Sequence, residues 1–264
     1  MEEPREEQLA QALRQMDELK TALEECSSAR QRAERELART IENAQSAAEE
    51  MQQFIYAVGH DLRAPLRSVS SYAKLLQRQY QEDSETSELT AFIVNGAAEM
   101  NALIEDLLKY SRTGNSPRRT TVNLSAVVQF ALMNLQNSIR ESGAETSVGE
   151  LPEVAVDESQ FVQMFQQIIG NALKFRGAEA PRIEVTAQEE PEQVVVSVHD
   201  NGPGVEPKYH EAVFTPFKRL HGREVPGTGL GLAMCRKIVH AHGGKIWVES
   251  DGQHGSTFKF TIPV

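Results

Sequence analysis

Cysteine is scarce: two in 264 residues, Cys26 and Cys235, far apart. That excludes a disulfide framework and a Cys-based zinc site. Long apolar runs are missing too. None approaches the ~18 residues that cross a bilayer, and the acidic start Met1-Glu2-Glu3 does not read as a signal peptide. No membrane span is expected, and the expected location is cytoplasmic. Positive charge is in deficit, with 27 Lys and Arg against 38 Asp and Glu and a formal net charge of −11. Such a surface cannot neutralise a phosphate backbone, so no nucleic-acid partner is expected. Glycine and proline are absent from residues 5–58, so nothing there interrupts a helix.

What remains is ordinary for a globular chain, 40% hydrophobic and 25% charged. Its length allows two compact units, or one domain plus an elongated piece. In the glycine-free segment two rows of positions recur every seven residues. One is Leu9, Met16, Leu23, Arg30, Leu37, Ala44, Met51 and Val58; the other is Ala12, Leu19, Cys26, Ala33, Thr40, Ala47 and Phe54. This seam predicts a left-handed coiled coil, assigned to residues 1–50 and running on into the next helix. Arg30, Thr40 and the alanines weaken it, as suits a spacer or a bistable rod that carries a register or rotation change. Cys26 would face its twin in a parallel dimer as a small core residue.

Residues 51–112 form the next unit, centred on Val58-Gly59-His60-Asp61-Leu62-Arg63-Ala64-Pro65-Leu66. Phe54, Val58, Leu62 and Leu66 share one helical stripe, and His60 lies off it toward solvent. Pro65 removes a backbone donor and should kink the helix one turn later. The helix continues to about Tyr80, turns at 81–85, and is followed by a second with Leu89, Ile93, Gly96, Met100, Leu103, Leu107 and Tyr110 on its apolar face. One hairpin cannot cover both stripes. Two hairpins in a four-helix bundle can, which makes a homodimer the economical solution.

Ser111 to Thr120 is polar, with Gly114 and Pro117, and residues 113–120 read as a linker. Residues 121–264 change character. Helices are predicted over Val122–Arg140, opening at Asn123 or Ser125, over Asp157–Phe175, and from about Gly229 to His242. Strands are predicted at 183–187, 194–198, 245–249 and 256–262. Such a block suggests an α/β sandwich, with Trp247 in its core and Cys235 as a buried filler.

Three stations in this block can carry chemistry. Asn171 and Lys174 share a helix face; an amide oxygen can ligate Mg²⁺ and an ammonium can sit on phosphate. Asp200-x-Gly202-x-Gly204 follows an apolar strand, where a carboxylate can accept from an exocyclic amine while glycines admit a flat ring. Gly227-Thr228-Gly229-Leu230-Gly231-Leu232 opens a helix, and its N–H groups suit phosphates. Each pattern alone is common. Their order is not.

In that order the chain resembles sensor histidine kinases of two-component systems, closest to their phytochrome-like soluble branch, over roughly residues 51–264. His60 to Leu66 matches the family's H box, Gln163 to Phe175 the N box, Asp200 to Gly204 the G1 box, Val213 to Phe217 the F box, and Gly227 to Leu232 the G2 box. Gly255-Ser256-Thr257 resembles the strand motif that closes the nucleotide pocket. The resemblance implies a dimerisation and histidine-phosphotransfer hairpin followed by a Bergerat-type ATP-binding domain. It also implies roles. His60 would be phosphorylated from ATP, with Asp61 on its other ring nitrogen. Asn171, with Gln167 through water, would hold Mg²⁺, Lys174 the phosphates and Asp200 the adenine amine. The lid would run from Val205 to Pro226, anchored by Phe214 and Phe217, with Lys218 and Arg219 near the phosphates and Thr257 at the pocket's closing strand. The phosphoryl group would then pass to a response regulator receiver domain on another chain. An upstream sensory partner would supply the signal, unless the chain is a piece of a longer sensor.

Three residues depart from the pattern. Gly59 replaces a frequent Ser, expected to alter only helix flexibility. Gln167 replaces a frequent second Asn. Ala64 stands where members that dephosphorylate their regulator carry Thr or Asn to orient water, which implies weak phosphatase activity. A gyrase- or Hsp90-like ATPase would need a carboxylate at Gln167 to activate water, so hydrolysis lacks its base. A scaffold that merely binds nucleotide would not need intact Asn171, Lys174, Asp200 and glycines. His240 and His242 lack a third ligand and are expected to finish their helix; the other histidines carry no signal.

Overall fold

The computed structural model describes residues 3–79, 84–115, 117–177, 179–220 and 227–264, with side chains before residue 50 described only in part. The expected turn at 81–85 lies mostly outside these residues, as do the lid segment 221–226 and several seam side chains, Cys26 among them. The chain divides into two compact units, Met1–Phe54 and Ile55–Val264.

Helix α1 (Glu3–Gln79) spans 77 residues and passes through Pro65 without ending. The first unit is this helix alone. In the second unit its later half meets α2 (Ser84–Arg112). Gly59 lies against Leu108 and the Arg112 guanidinium stacks over the Tyr56 ring at 4.9 Å, so the two helices run antiparallel. Small residues make the seam: Gly59, Ala73 and Ala97 are buried, with Ile104 and Leu108. Gly59 is therefore a packing residue rather than a flexibility device, because a Cβ there would stand 3.1 Å from the Leu108 side chain. The larger apolar side chains face out. Val58, Leu62, Val69 and Leu76 on α1, and Leu89, Phe92, Ile93 and Met100 on α2, are exposed on the single chain.

The α/β part begins with β1 (Thr120–Asn123), α3 (Leu124–Asn134), α4 (Gln136–Ser142), β2 (Glu145–Val148) and β3 (Glu153–Val156). It continues with α5 (Glu158–Lys174), β4 (Arg182–Glu190), β5 (Gln193–Asp200), α6 (Gly231–Ala241), β6 (Ile246–Glu249) and β7 (Ser256–Pro263). Two 3₁₀ turns, Pro207–Tyr209 and Ala212–Phe214, lie between β5 and α6. Asn123 and Asp157 cap α3 and α5, each accepting an N–H three residues on. The helix expected over Val122–Arg140 is two, broken at Leu135. Five strands form one mixed sheet in the order β2-β4-β5-β7-β6, parallel only between β2 and β4, while β1 and β3 pair separately. Helices α3, α5 and α6 pack into one core with the sheet. Phe161, Phe165 and Ile168 of α5 and Ile238 of α6 are fully buried there with Val196 and Phe260. This is the expected sandwich. Trp247 is a correction: it is half-buried, its indole N–H donating to Glu249, and its neighbour Val248 points inward instead.

His242, expected only to finish a helix, is buried in that core. Its Nε2 accepts the Asp157 N–H at 3.0 Å, its Nδ1 lies 2.8 Å from the Ile238 carbonyl, and its ring meets Phe161 edge-on. An acceptor on one nitrogen and a donor on the other define a neutral ring.

Candidate active site

Five elements converge on a cavity of about 330 Å³: the end of α5, the end of β5 with its following turn, the start of β7, the loop that leads into α6, and α2 through Asp106. The β5–β7 register sets the floor, pairing Asp200 with Ser256. Asp200 is nearly buried, and its Oδ1 accepts the Gly202 N–H at 2.8 Å. A Cβ at Gly202 would stand 2.7 Å from both that oxygen and the Phe175 carbonyl, so only glycine closes the turn. Gly202 itself does not line the cavity; it holds Asp200, which does. Burial pushes the Asp200 carboxyl above its ordinary range, against hydrogen bonds from the Gly202 and Ser256 backbone and the charge of His199. An ionised carboxylate short of donors is suited to a ligand that brings an N–H.

Gln167, Asn171 and Lys174 line the wall from one face of α5. Lys174 points at the glycine loop: its Nζ lies 2.5 Å from where a Cβ on Gly227 would stand. Burial, then the like charge of Arg219, lowers the Lys174 ammonium below its ordinary range, while Asp106 opposes the shift. Two cations thus share the end of the cavity at which the loop and the N-terminus of α6 expose their N–H groups, a ready anion site. Gly227, Thr228, Gly229, Gly231 and Leu232 line it, as do Lys218 and Arg219. The loop is held from behind. Gly229 adopts φ +76, and its carbonyl accepts the Phe217 N–H at 3.0 Å.

Several expected site residues support the cavity rather than line it. Leu230 is fully buried beneath the loop. Phe214 is buried edge-on to Phe258, whereas Phe217 is 57% exposed and anchored only through its backbone. Thr257 is a correction. Strand alternation turns it to the other face of the sheet, where its hydroxyl meets the His199 ring at 3.0 Å, and Ser256 and Phe258 line the cavity instead. Ser256 stands next to Thr257 in the same sequence motif, and the observed register, not the motif, sets it opposite Asp200. Asp106, which enters from α2, was not legible, because nothing local marks it among the polar positions of that helix.

His60 stands elsewhere, on the exposed side of α1. Its side chain is 74% accessible, and its Nδ1 lies 3.1 Å from the Asp61 carboxylate. An ionised carboxylate can only accept, so Nδ1 carries a proton toward it, and Nε2 is the nitrogen that bears the lone pair in the neutral ring.

A helical hairpin bearing an exposed histidine is joined here to an α/β layer with a concave cation-lined pocket, the two parts expected of a phosphoacceptor and nucleotide-binding pair of domains. Comparison with known proteins gives that class its name. The His Kinase A (phospho-acceptor) domain model matches residues 50–116, and the histidine kinase-, DNA gyrase B- and HSP90-like ATPase model matches residues 156–264. The phytochrome-like protein Cph1 of Synechocystis is 40% identical over 233 residues, 87% of this chain and 31% of that protein. The adaptive-response sensory kinase SasA of Prochlorococcus marinus is 35% identical, over 82% of this chain and 58% of its own. Among solved structures, full-length ShkA in complex with AMPPNP superposes with a TM-score of 0.62 at 26% identity, over 80% of this chain and 45% of that one. The chain belongs to the sensor histidine kinase family. It spans about a third of the length of the phytochrome relative. No helix among the described residues is long and apolar enough to cross a membrane.

Proposed function

We propose that this chain is an ATP-dependent protein histidine kinase that phosphorylates His60 and passes the phosphoryl group to an aspartate on a response regulator receiver domain. One observation carries this reading: an exposed imidazole with its Nδ1 beside a carboxylate, on the same chain as a concave cavity lined by the buried acid Asp200 and by the cations Lys174, Lys218 and Arg219. Asp200 would accept the adenine amine. Lys174, Lys218, Arg219 and the loop N–H groups at 227–232 would meet the triphosphate. His60 Nε2 would attack the γ-phosphorus in line. The Nε2–P bond forms, the bond to the bridging oxygen breaks with ADP leaving, and the Nδ1 proton, already directed at Asp61, is the one the imidazolium sheds. Positioning and charge neutralisation supply most of the rate in such transfers.

Mg²⁺ fits the donor set only in company. Among the described residues no cluster of three His, Cys, Asp or Glu could hold a metal ion. The amide oxygens of Asn171 and Gln167 are neutral, so phosphate oxygens and water must complete its shell. Bound there, Mg²⁺ neutralises charge on the phosphates. The exposed apolar faces of α1 and α2 favour a homodimer through a four-helix bundle, continued by the expected coiled coil. Such a kinase would act in the cytoplasm.

The test is incubation with γ-labelled ATP. Wild type should acquire acid-labile, base-stable label and His60→Gln none, with nucleotide affinity unchanged. Free phosphate without labelled protein would point to an ATPase, and neither product to a scaffold.

A further inference from the structure

The anion end of the cavity already holds an anion. Thr228, in the middle of the glycine loop, donates its hydroxyl hydrogen bond to Asp106 of α2 at 2.8 Å. Asp106 lines the cavity beside Lys174, Arg219, Gly227 and Thr228, the groups the proposed function gives to the triphosphate. Among the described residues that line the cavity, the carboxylates are Asp106 at that end and Asp200 at the other. Its second oxygen lies 3.6 Å from the Lys109 ammonium, an exposed pair of little weight.

A second contact holds the same two elements together outside the cavity. Lys237 of α6 sends its ammonium to the carbonyls of Tyr110 and Ser111, at 3.1 and 3.3 Å, and over the Tyr110 ring at 5.2 Å. These carbonyls belong to the last turn of α2, where a cation also meets the helix dipole. Carboxylate to loop and ammonium to helix end together fasten α6 and its approach loop along the end of α2.

We infer that Asp106 is an internal occupant of the triphosphate site, a carboxylate that a nucleotide's phosphates must displace from Thr228 to bind. This rests on the nucleotide reading of the cavity. Two like charges cannot share one set of donors and cations without a large electrostatic penalty. The fastened state therefore excludes phosphates while leaving the Asp200 end open, and apparent affinity falls by the fraction of molecules in which Asp106 is withdrawn. Phosphate entry in turn frees α6 from α2, which couples nucleotide binding to release of the ATP-binding part from the phosphoacceptor hairpin. The device needs no residue of the sensory input, and any movement of α2 would act on it.

The experiment is calorimetric titration of the full chain with AMPPNP, and with adenosine by competition, for wild type, Asp106→Asn and Lys237→Met. Asp106→Asn keeps an oxygen for Thr228 and removes the charge. It should bind AMPPNP on the order of 5- to 50-fold more tightly, a typical coupling between sites, and adenosine as wild type does. The gain should shrink with added salt. Lys237→Met does not touch the cavity lining; it should also tighten AMPPNP and not adenosine, and the double variant should gain less than the product of the two. Equal AMPPNP affinity in wild type and Asp106→Asn, or an equal shift for adenosine, would overturn the inference. Failure of wild type to bind either ligand would instead remove the nucleotide reading itself.

Discussion

The two halves of the proposed reaction are built on opposite principles. The cavity is a concave, partly open pocket whose carboxylate is raised and whose lysine is lowered, each chiefly by burial. Among the described residues His60 bonds through its side chain only to Asp61 beside it, and that side chain is largely exposed. The contrast follows from what each must meet. A nucleotide is small and can be surrounded, and enclosure strengthens every electrostatic contact with it. An imidazole that must meet a nucleotide domain and then a second protein cannot be surrounded. Perturbation marks the site that binds; exposure marks the site that travels.

The sharpest way to break that comparison is Asp200→Asn. Burial raises the Asp200 carboxyl, so its contribution to stability is full below the ordinary value of 3.8 and is lost as pH rises through the raised value. At neutral pH the ionised group is therefore a stability cost kept for binding. The variant should lose about 100-fold or more in ATP-analogue affinity, as sites that lose a buried polar partner do. Its ligand-free melting temperature at pH 7 should rise by a few degrees, by roughly the ratio of free energy to unfolding entropy. A variant that binds poorly and also melts lower would mean Asp200 is a structural residue.

His242 tests the comparison from the other side, as a buried histidine that does not react. Burial, the main influence, lowers it below 6.5. Its stabilisation is full above pH 6.5 and is lost as pH falls through the lowered value, because the unfolded chain takes the proton first. Between pH 7.5 and 5.5 wild type should lose more stability than His242→Gln, by at most the ~1.4 kcal/mol that one pH unit below the unfolded value allows. The measurement is thermal melting across that range. Parallel pH dependence in the two proteins would contradict a neutral buried ring.

Much of this was legible in order and spacing. The caps Asn123 and Asp157, the helix carrying Asn171 and Lys174, the turn Asp200-x-Gly202 and the glycine loop stand where local patterns put them, because each is a local solution to a local backbone demand. What escaped depended on contacts between distant segments. The strands at 120–123, 145–148 and 153–156 are too short for alternation to show. Thr257 was placed in the pocket because a motif names residues without saying which face they take, and a strand turns each one over. Asp106 and Lys237 are unremarkable until α2 and α6 lie side by side. Gly59 was read as a loss of side chain when it is a fit to Leu108, a residue 49 positions away.

That fit gives the smallest prediction. Gly59→Ala gains helix propensity of up to about 1 kcal/mol but sets a methyl 3.1 Å from the Leu108 side chain. Overpacking of this kind costs about 1–3 kcal/mol when the neighbour cannot give. Leucine can shift its rotamer, so the single variant should be destabilised by no more than about 1 kcal/mol. In a Leu108→Val background the crowding is relieved and the propensity gain remains, so the same change should become stabilising. A double-mutant cycle on urea unfolding reads the difference directly, with a favourable coupling of about 0.5–2 kcal/mol. Strict additivity would mean that the two side chains do not meet, and that the antiparallel register placing His60 opposite the end of α2 is wrong.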